Sequence, residues 1–417
     1  GMLAMTLRSF LRDSRKPIAF VPVYIGYEKV IESGSYIGEL HGEKKQKESI
    51  FGLMKSLSVL RSYFGQVHVN FGEPIKLVDY LDQHHHNWRN ESLGSTENPP
   101  WFKHVVNELG QDVVESINAA AVANPINLLS LALLASPKHT MDIGQLHQQL
   151  SLYIDLLKLA PYSDTAALGC TDAQEIIDYG LDNDFLIRIK HQLGDVVTTD
   201  QKSALQMAYV RNNSLHLFVL PGLVCSLVMN AREIRMDVLQ NMVRLLYPFL
   251  RNEYFLHWDE GDELSQAVEE VASVLERCKL VRRQGDSLMG AALHTHEADM
   301  LNHLGKTVLP SLERYYLTIR LLVQRGSGIL TADQLGELAH QTAQRLSLLY
   351  EFNSPEFFDK VVIKHFISQL YSTGLVTPDD NGQLNFDSKL EALDDEARRI
   401  LSADISDAIQ RVTRLQG

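Results

Sequence analysis

Apolar positions along the first eighty residues follow two different periods. IAFVPVY at 18–24 is a continuous apolar and aromatic run, which predicts a strand covered on both faces. Over 44–63 the chain is polar and then amphipathic, with Ile50, Leu53, Met54, Leu57 and Leu60 at helical spacing. QVHVNF at 66–71 alternates as a strand does, ahead of the turn signal Gly72-Glu73-Pro74. The segment 82–100, DQHHHNWRNESLGSTENPP, is polar and turn-rich and reads as a linker. Helical periodicity then dominates, over 101–135, 141–160, 201–231, 233–256, 298–325 and 331–350. The expected fold class is α+β and predominantly α-helical. It comprises an α/β portion over 1–81, the linker, and a helical C-terminal region over 101–417.

Within that helical region one pattern recurs at 173–200, 264–293 and 360–386: a helix, a short apolar strand, a polar turn and a second strand. Each instance resembles the last helix and wing of a winged-helix unit. The spacing is too irregular for a solenoid. The longest uncharged stretch, 212–231, has its solid apolar part from Leu217 to Met229, interrupted by Pro221 and Gly222. That is short of the run of about twenty apolar residues a spanning helix needs, so a buried helix is expected.

Composition narrows the classes. Net charge is −13, with 45% apolar and 22% charged residues, and a binder of nucleic-acid phosphates concentrates the opposite charge. Cys170, Cys225 and Cys278 stand about fifty residues apart with no CxxC pair, so buried free thiols in a reducing setting are expected. Gly1 before Met2 is an order that translation does not produce, and it suggests a scar of tag removal. No basic segment followed by an apolar one marks a signal peptide.

The usual catalytic signatures are missing from the sequence. It contains neither GxSxG nor a GxGxxG following a strand, and Gly305-Lys306-Thr307 has Met300 where a P-loop needs glycine. His84-His85-His86 lies in the polar segment, and His294-Thr295-His296 has imidazoles two apart; neither spacing predicts a metal site. His257…Asp262 and His294…Asp299 both satisfy His-x4-Asp, but with 16 histidines about one such match is expected by chance.

The segment 20–28, FVPVYIGYE, carries more. Pro22 removes a backbone donor in a strand, Gly26 is expected to let the chain turn out of the sheet, and Tyr27 and Glu28 then stand near the strand's C-terminal end, where α/β ligands bind. Val21, Pro22, Val23, Tyr24, Ile25, Gly26, Tyr27 and Glu28 resemble the fourth homology block of the glycerolipid acyltransferases. LAMTLRSFLRD (3–13), HGEKKQKES (41–49), HVNFGEPIKL (68–77), VRNNSLHLFVLP (210–221), LYPFLRNEYFLHW (246–258) and SPEFFDK (354–360) follow in the order that resembles the bacterial membrane-associated glycerol-3-phosphate acyltransferases.

That resemblance implies acyl transfer from acyl-CoA or acyl carrier protein to the 1-hydroxyl of glycerol-3-phosphate in phospholipid synthesis, with no cofactor and no metal. It implies a peripheral location on the cytoplasmic face of the bacterial inner membrane. Pro22, Tyr27 and Glu28 are the substrate-binding residues it implies, on the C-terminal remnant of an acyltransferase sheet. The family's general base is a His-x4-Asp upstream of the fourth block, and only twenty residues precede Val21, so no catalytic residue is expected here and the chain alone is expected to be inactive. Self-association through surface exposed by truncation is a further expectation. The rival reading is a non-catalytic winged-helix interaction module, with DNA binding disfavoured because 264–276 is acidic and 173–181 has no basic residue.

Overall fold

The computed structural model describes residues 1–29, 65–90, 98–349, 355–401 and 403–414. The helix expected over 44–63 lies outside them. The described chain is mostly helical with small sheets, and it divides into two compact units: Gly1–His216 with Phe255–His257, and Leu217–Tyr254 with Trp258–Gly417.

In the first unit the run at 18–24 is two short strands rather than one. Strand β1 (Ala19–Phe20) pairs with β4 (Ile75–Lys76), and β2 (Val23–Tyr27) pairs with β3 (Val67–Phe71), both antiparallel. The division falls at Pro22, which has no N–H to give a ladder, while its carbonyl accepts from Gly72 N at 2.9 Å. Coverage on both faces is not what the described residues show. On the β2–β3 ribbon Tyr24 and Gly26 are buried, while Ile25, Tyr27, Val67, Val69 and Phe71 are exposed, Phe71 by 62%.

Beside the ribbon, the Met2–Arg12, Leu77–His84 and Phe102–Ala119 helices bury Leu7, Phe10, Leu77, Leu81, Val105 and Leu109 in one apolar cluster. Trp88, from the polar segment after 82, is buried in the same cluster and donates from Nε1 to Asp82 at 2.8 Å. The neighbouring histidines serve local packing: His84 stacks on Tyr80 and His85 on Trp101, with ring centroids 4.1 and 4.3 Å apart.

One order of elements occurs three times. In the first unit it runs from the Pro125–Leu134 helix to strand Thr140–Asp142, helices Ile143–Leu159 and Ala173–Asp182, and the hairpin Ile187–Ile189 with Val196–Thr198. The second strand of the hairpin lies between the first and the isolated Thr140–Asp142 strand. The His216–Ala231 helix begins the next instance, with strand Glu233–Arg235, helices Met236–Tyr254 and Asp262–Arg277, and the hairpin Val281–Gln284 with Ser287–Gly290, in the same strand order. In the third, helix Leu309–Arg325 leads to a single bridge at Thr331, helices Ala332–Leu349 and Lys360–Ser372, and the hairpin Thr377–Pro378 with Leu384–Asn385. Asp142 caps its helix by accepting from Gly144 and Gln145 N; Thr331 and Gln334 cap theirs reciprocally.

The uncharged stretch forms the His216–Ala231 helix, buried over 216–228, and no single helix among the described residues is long and apolar enough to cross a membrane. Cys225 is buried on this helix, while Cys170 and Cys278 are half-buried. Gly222 is there because nothing larger fits: a Cβ would overlap Thr307 Oγ1 and stand 3.0 Å from the Leu304 carbonyl oxygen. Gly222→Ala is expected to cost about 1–3 kcal/mol through overpacking, read from urea unfolding followed by circular dichroism. An unchanged midpoint would show that the helices separate without penalty.

Candidate functional site

The ribbon's period of two decides which side chains of the 20–28 segment look inward. Tyr24, Gly26 and Glu28 share the buried face, and Ile25 and Tyr27 the exposed one. Adjacent in sequence, Tyr27 and Glu28 therefore point apart. Pro22 is buried just before β2. Gly26 does not turn the chain out of the sheet; it lies within the ladder opposite His68, and a Cβ there would come within 2.8 Å of Tyr24 Cε1. Its small size makes room for the Tyr24 ring. That ring's hydroxyl donates to the Val122 carbonyl at 3.4 Å, and burial raises its pKa to about 12, so it stays a neutral donor.

Glu28 is fully buried, and its two oxygens are treated unequally. Oε2 accepts from the Gln66 backbone N–H at 2.7 Å and from the Tyr179 hydroxyl at 2.5 Å. Oε1 has no hydrogen-bond donor among the described residues, and lies 3.7 Å from Nε2 of His68, which likewise makes no hydrogen bond there. A buried carboxylate oxygen or imidazole nitrogen without a hydrogen bond costs about 1–3 kcal/mol, so the two atoms call for an explanation. Gly65, at φ +76°, lets the chain pass: a Cβ there would meet Glu28 Oε2 at 2.5 Å. Gly169 lies on the other side, where a Cβ would stand 3.1 Å from His68 Cε1.

Two more inward groups on these strands find backbone partners. Asn70 donates to the carbonyls of Ala120 and Thr165 at 3.0 and 2.8 Å, tying β3 to the segments that follow. After Glu28, Lys29 donates to the Asn183 carbonyl at 3.3 Å and lies 4.9 Å from the centroid of Phe185. Sequence reasoning missed His68 and Tyr179. The alternation of QVHVNF already puts His68 and Asn70 on one face; nothing local marks Tyr179, 151 residues from its partner.

The histidine motifs read as chance matches have local structural duties. His257 donates from Nε2 to the Tyr162 carbonyl at 2.7 Å and meets the Tyr162 ring edge-on. His294 sits at φ +65° just before Thr295, which caps the His296–Gly305 helix. Gly305 ends that helix, where carbonyl oxygens gather rather than the N–H groups that would bind phosphate. Among the described residues no three His, Cys, Asp or Glu side chains converge as a metal site would require.

Comparison with known proteins places this chain in a family. Residues 36–379 match the family described as glycerol-3-phosphate acyltransferase C-terminal region. The chain is 42% identical over 99% of its length to a protein named glycerol-3-phosphate acyltransferase from Pseudomonas entomophila, and 41% identical to one of the same name from Pseudomonas aeruginosa. It covers 50% and 49% of those two proteins, so it spans about half the length of the curated relatives it matches.

Proposed function

We propose that this chain, which belongs to the glycerol-3-phosphate acyltransferase family and matches its C-terminal region, serves a reaction that moves a fatty acyl group onto the 1-hydroxyl of glycerol-3-phosphate. The donor in this reading is acyl-CoA or acyl carrier protein, and the product enters phospholipid synthesis. The single observation carrying the site is Glu28, a fully buried carboxylate at the end of the FVPVYIGYE strand with one oxygen left unpartnered among the described residues. Pro22 sets the start of that strand, and Tyr27 offers its ring on the opposite face. We assign Pro22 and Glu28, on the buried face, to the substrate site, Glu28 as an acceptor of a substrate hydroxyl; Tyr27 faces away from Glu28 and joins the exposed apolar face instead.

Acyl transfer needs a base to take the hydroxyl proton as the oxygen attacks the thioester carbonyl. The tetrahedral adduct then collapses, an ester forms and the thiol leaves with a proton. In this reading the base is the family's upstream His-x4-Asp, which is not among the residues before Val21, so these 417 residues alone do not turn over. The exposed apolar face formed by Ile25, Tyr27, Val67, Val69 and Phe71 supports a covering partner, which we take to be the remaining length present in the relatives. Without it, the same face would drive self-association. We place the protein peripherally on the cytoplasmic face of the inner membrane, by family.

A second reading is favoured by one observation, the thrice-repeated strand order. We read the three units as winged-helix-type modules that act as a scaffold. The helix that would read DNA carries no basic residue in the first, Ala173–Asp182, and is acidic in the second, Asp262–Arg277.

The test is CoA release from palmitoyl-CoA with glycerol-3-phosphate, comparing the 417-residue chain with one extended upstream to the relatives' length. Turnover by the extended protein alone is expected. Turnover by the 417 residues would overturn the missing-base reading, and silence from both would favour the scaffold.

A further inference from the structure

We infer that Tyr179 is a positioning residue for Glu28, so that the first helix–hairpin unit forms part of the substrate site. The inference rests on the assignment of Glu28 to that site. A buried carboxylate can rotate about its last torsion and present either oxygen, and two donors on one oxygen prevent this. One of those donors is the backbone N–H of Gln66, beside the strand. The other is the phenol of Tyr179, from the Ala173–Asp182 helix. Together they saturate Oε2 and fix Oε1 as the oxygen that faces His68 Nε2, 3.7 Å away.

The helix is held for this task at both ends. Asp172 caps it by accepting from Glu175 N at 2.9 Å. At the other end Asn183 donates from Nδ2 to the Tyr179 carbonyl at 2.9 Å, and its own carbonyl takes the Lys29 ammonium. Glu28 and Lys29 are thus gripped by Tyr179 and Asn183, which lie four apart on one helical face. The phenol also spares the site a charge: a lysine or arginine there would neutralise Glu28, whereas a neutral donor orients it and leaves it able to accept.

The experiment uses the upstream-extended protein with Tyr179→Phe, Glu28→Gln and both together. Tyr179→Phe is expected to lower kcat/KM for glycerol-3-phosphate about tenfold, the usual effect of losing one hydrogen bond to a charged group, with KM for palmitoyl-CoA unchanged. Glu28→Gln should lose more, and adding Tyr179→Phe to it should cost nothing further, because the phenol acts only through the carboxylate. Full activity in Glu28→Gln would defeat the site assignment itself. A loss in Glu28→Gln with none in Tyr179→Phe, or losses that simply add, would defeat the inference and leave the assignment standing. A second readout needs no turnover: in the 417-residue chain, Tyr179→Phe should move the imidazole nitrogen resonances of His68. Resonances that stay in place in a folded variant would also overturn it.

Discussion

Replacing Arg314 with alanine is expected to lower the unfolding free energy of the second unit by about 3–5 kcal/mol, the cost of breaking a buried ion pair by removing one partner. Arg314 lies on the Leu309–Arg325 helix and is 1% exposed. Its Nη2 donates to both oxygens of Glu253 at 2.6 Å. Ser311 and Tyr315 add hydroxyl donors to the same carboxylate at 2.7 and 2.6 Å. Burial pushes the Glu253 carboxyl up, but the Arg314 charge and these hydrogen bonds outweigh it and hold it below the ordinary range. With the guanidinium gone only burial and neutral donors remain, so Glu253 should take up a proton as pH falls. The penalty of Arg314→Ala is therefore larger at pH 7 than at pH 4, by linkage. Arg314→Met with Glu253→Gln should recover most of the loss, since the amide oxygen still accepts from Ser311 and Tyr315. Urea unfolding of the three proteins at both pH values checks each part, and equal stability of Arg314→Ala and the parent would show that the pair contributes nothing net.

How much of this could be read beforehand differs from element to element. The Asp262–Arg277 helix was legible because Leu264, Val268, Val271 and Leu275 recur at helical spacing and all are buried. The hairpins after the three helices were legible through their Gly-Asp and Asp-Asn-Gly turns. The strand that completes each sheet was not: Thr140–Asp142 and Glu233–Arg235 have three residues each, and Thr331 makes a single bridge. So few residues show no period, and they are strands only because a hairpin strand far along the chain pairs with them. The site shows the same limit. Glu28 could be placed at a strand end from local sequence, and His68 could have been found from the alternation of QVHVNF. The hydrogen bond from Tyr179 depends on tertiary packing alone. Pro22 shows how one backbone donor outweighs hydropathy, since an unbroken apolar run becomes two strands with different partners.

Glu313 should make the second unit lose stability as pH rises, opposite in sign to the Glu253 effect. Its side chain is buried beside Arg314 in sequence, and burial raises its pKa to about 8, with the Arg314 charge as the smaller opposing pull. The ordinary value is 4.5, so between 4.5 and about 8 the folded chain keeps a proton that the unfolded chain releases. Stability then falls with rising pH across that window and levels off above it. Each pKa unit corresponds to about 1.4 kcal/mol, so the whole effect is on the order of a few kcal/mol. Glu313→Gln keeps the shape and removes the titration. Its stability relative to the parent should be least favourable near pH 4.5 and should improve steadily to pH 8.5. The gap between the two proteins, measured by urea unfolding in steps across that range, carries the answer whatever the amide itself costs. A gap that stays constant with pH would mean that Glu313 reaches water and ionises normally in the folded chain. A difference that moves in favour of Glu313→Gln as pH rises would mean that the helix carries a neutral carboxylic acid next to a permanently charged guanidinium. Arg314 is hydrogen-bonded to Glu253, and its pull on Glu313 is smaller than the cost of burying a second carboxylate there.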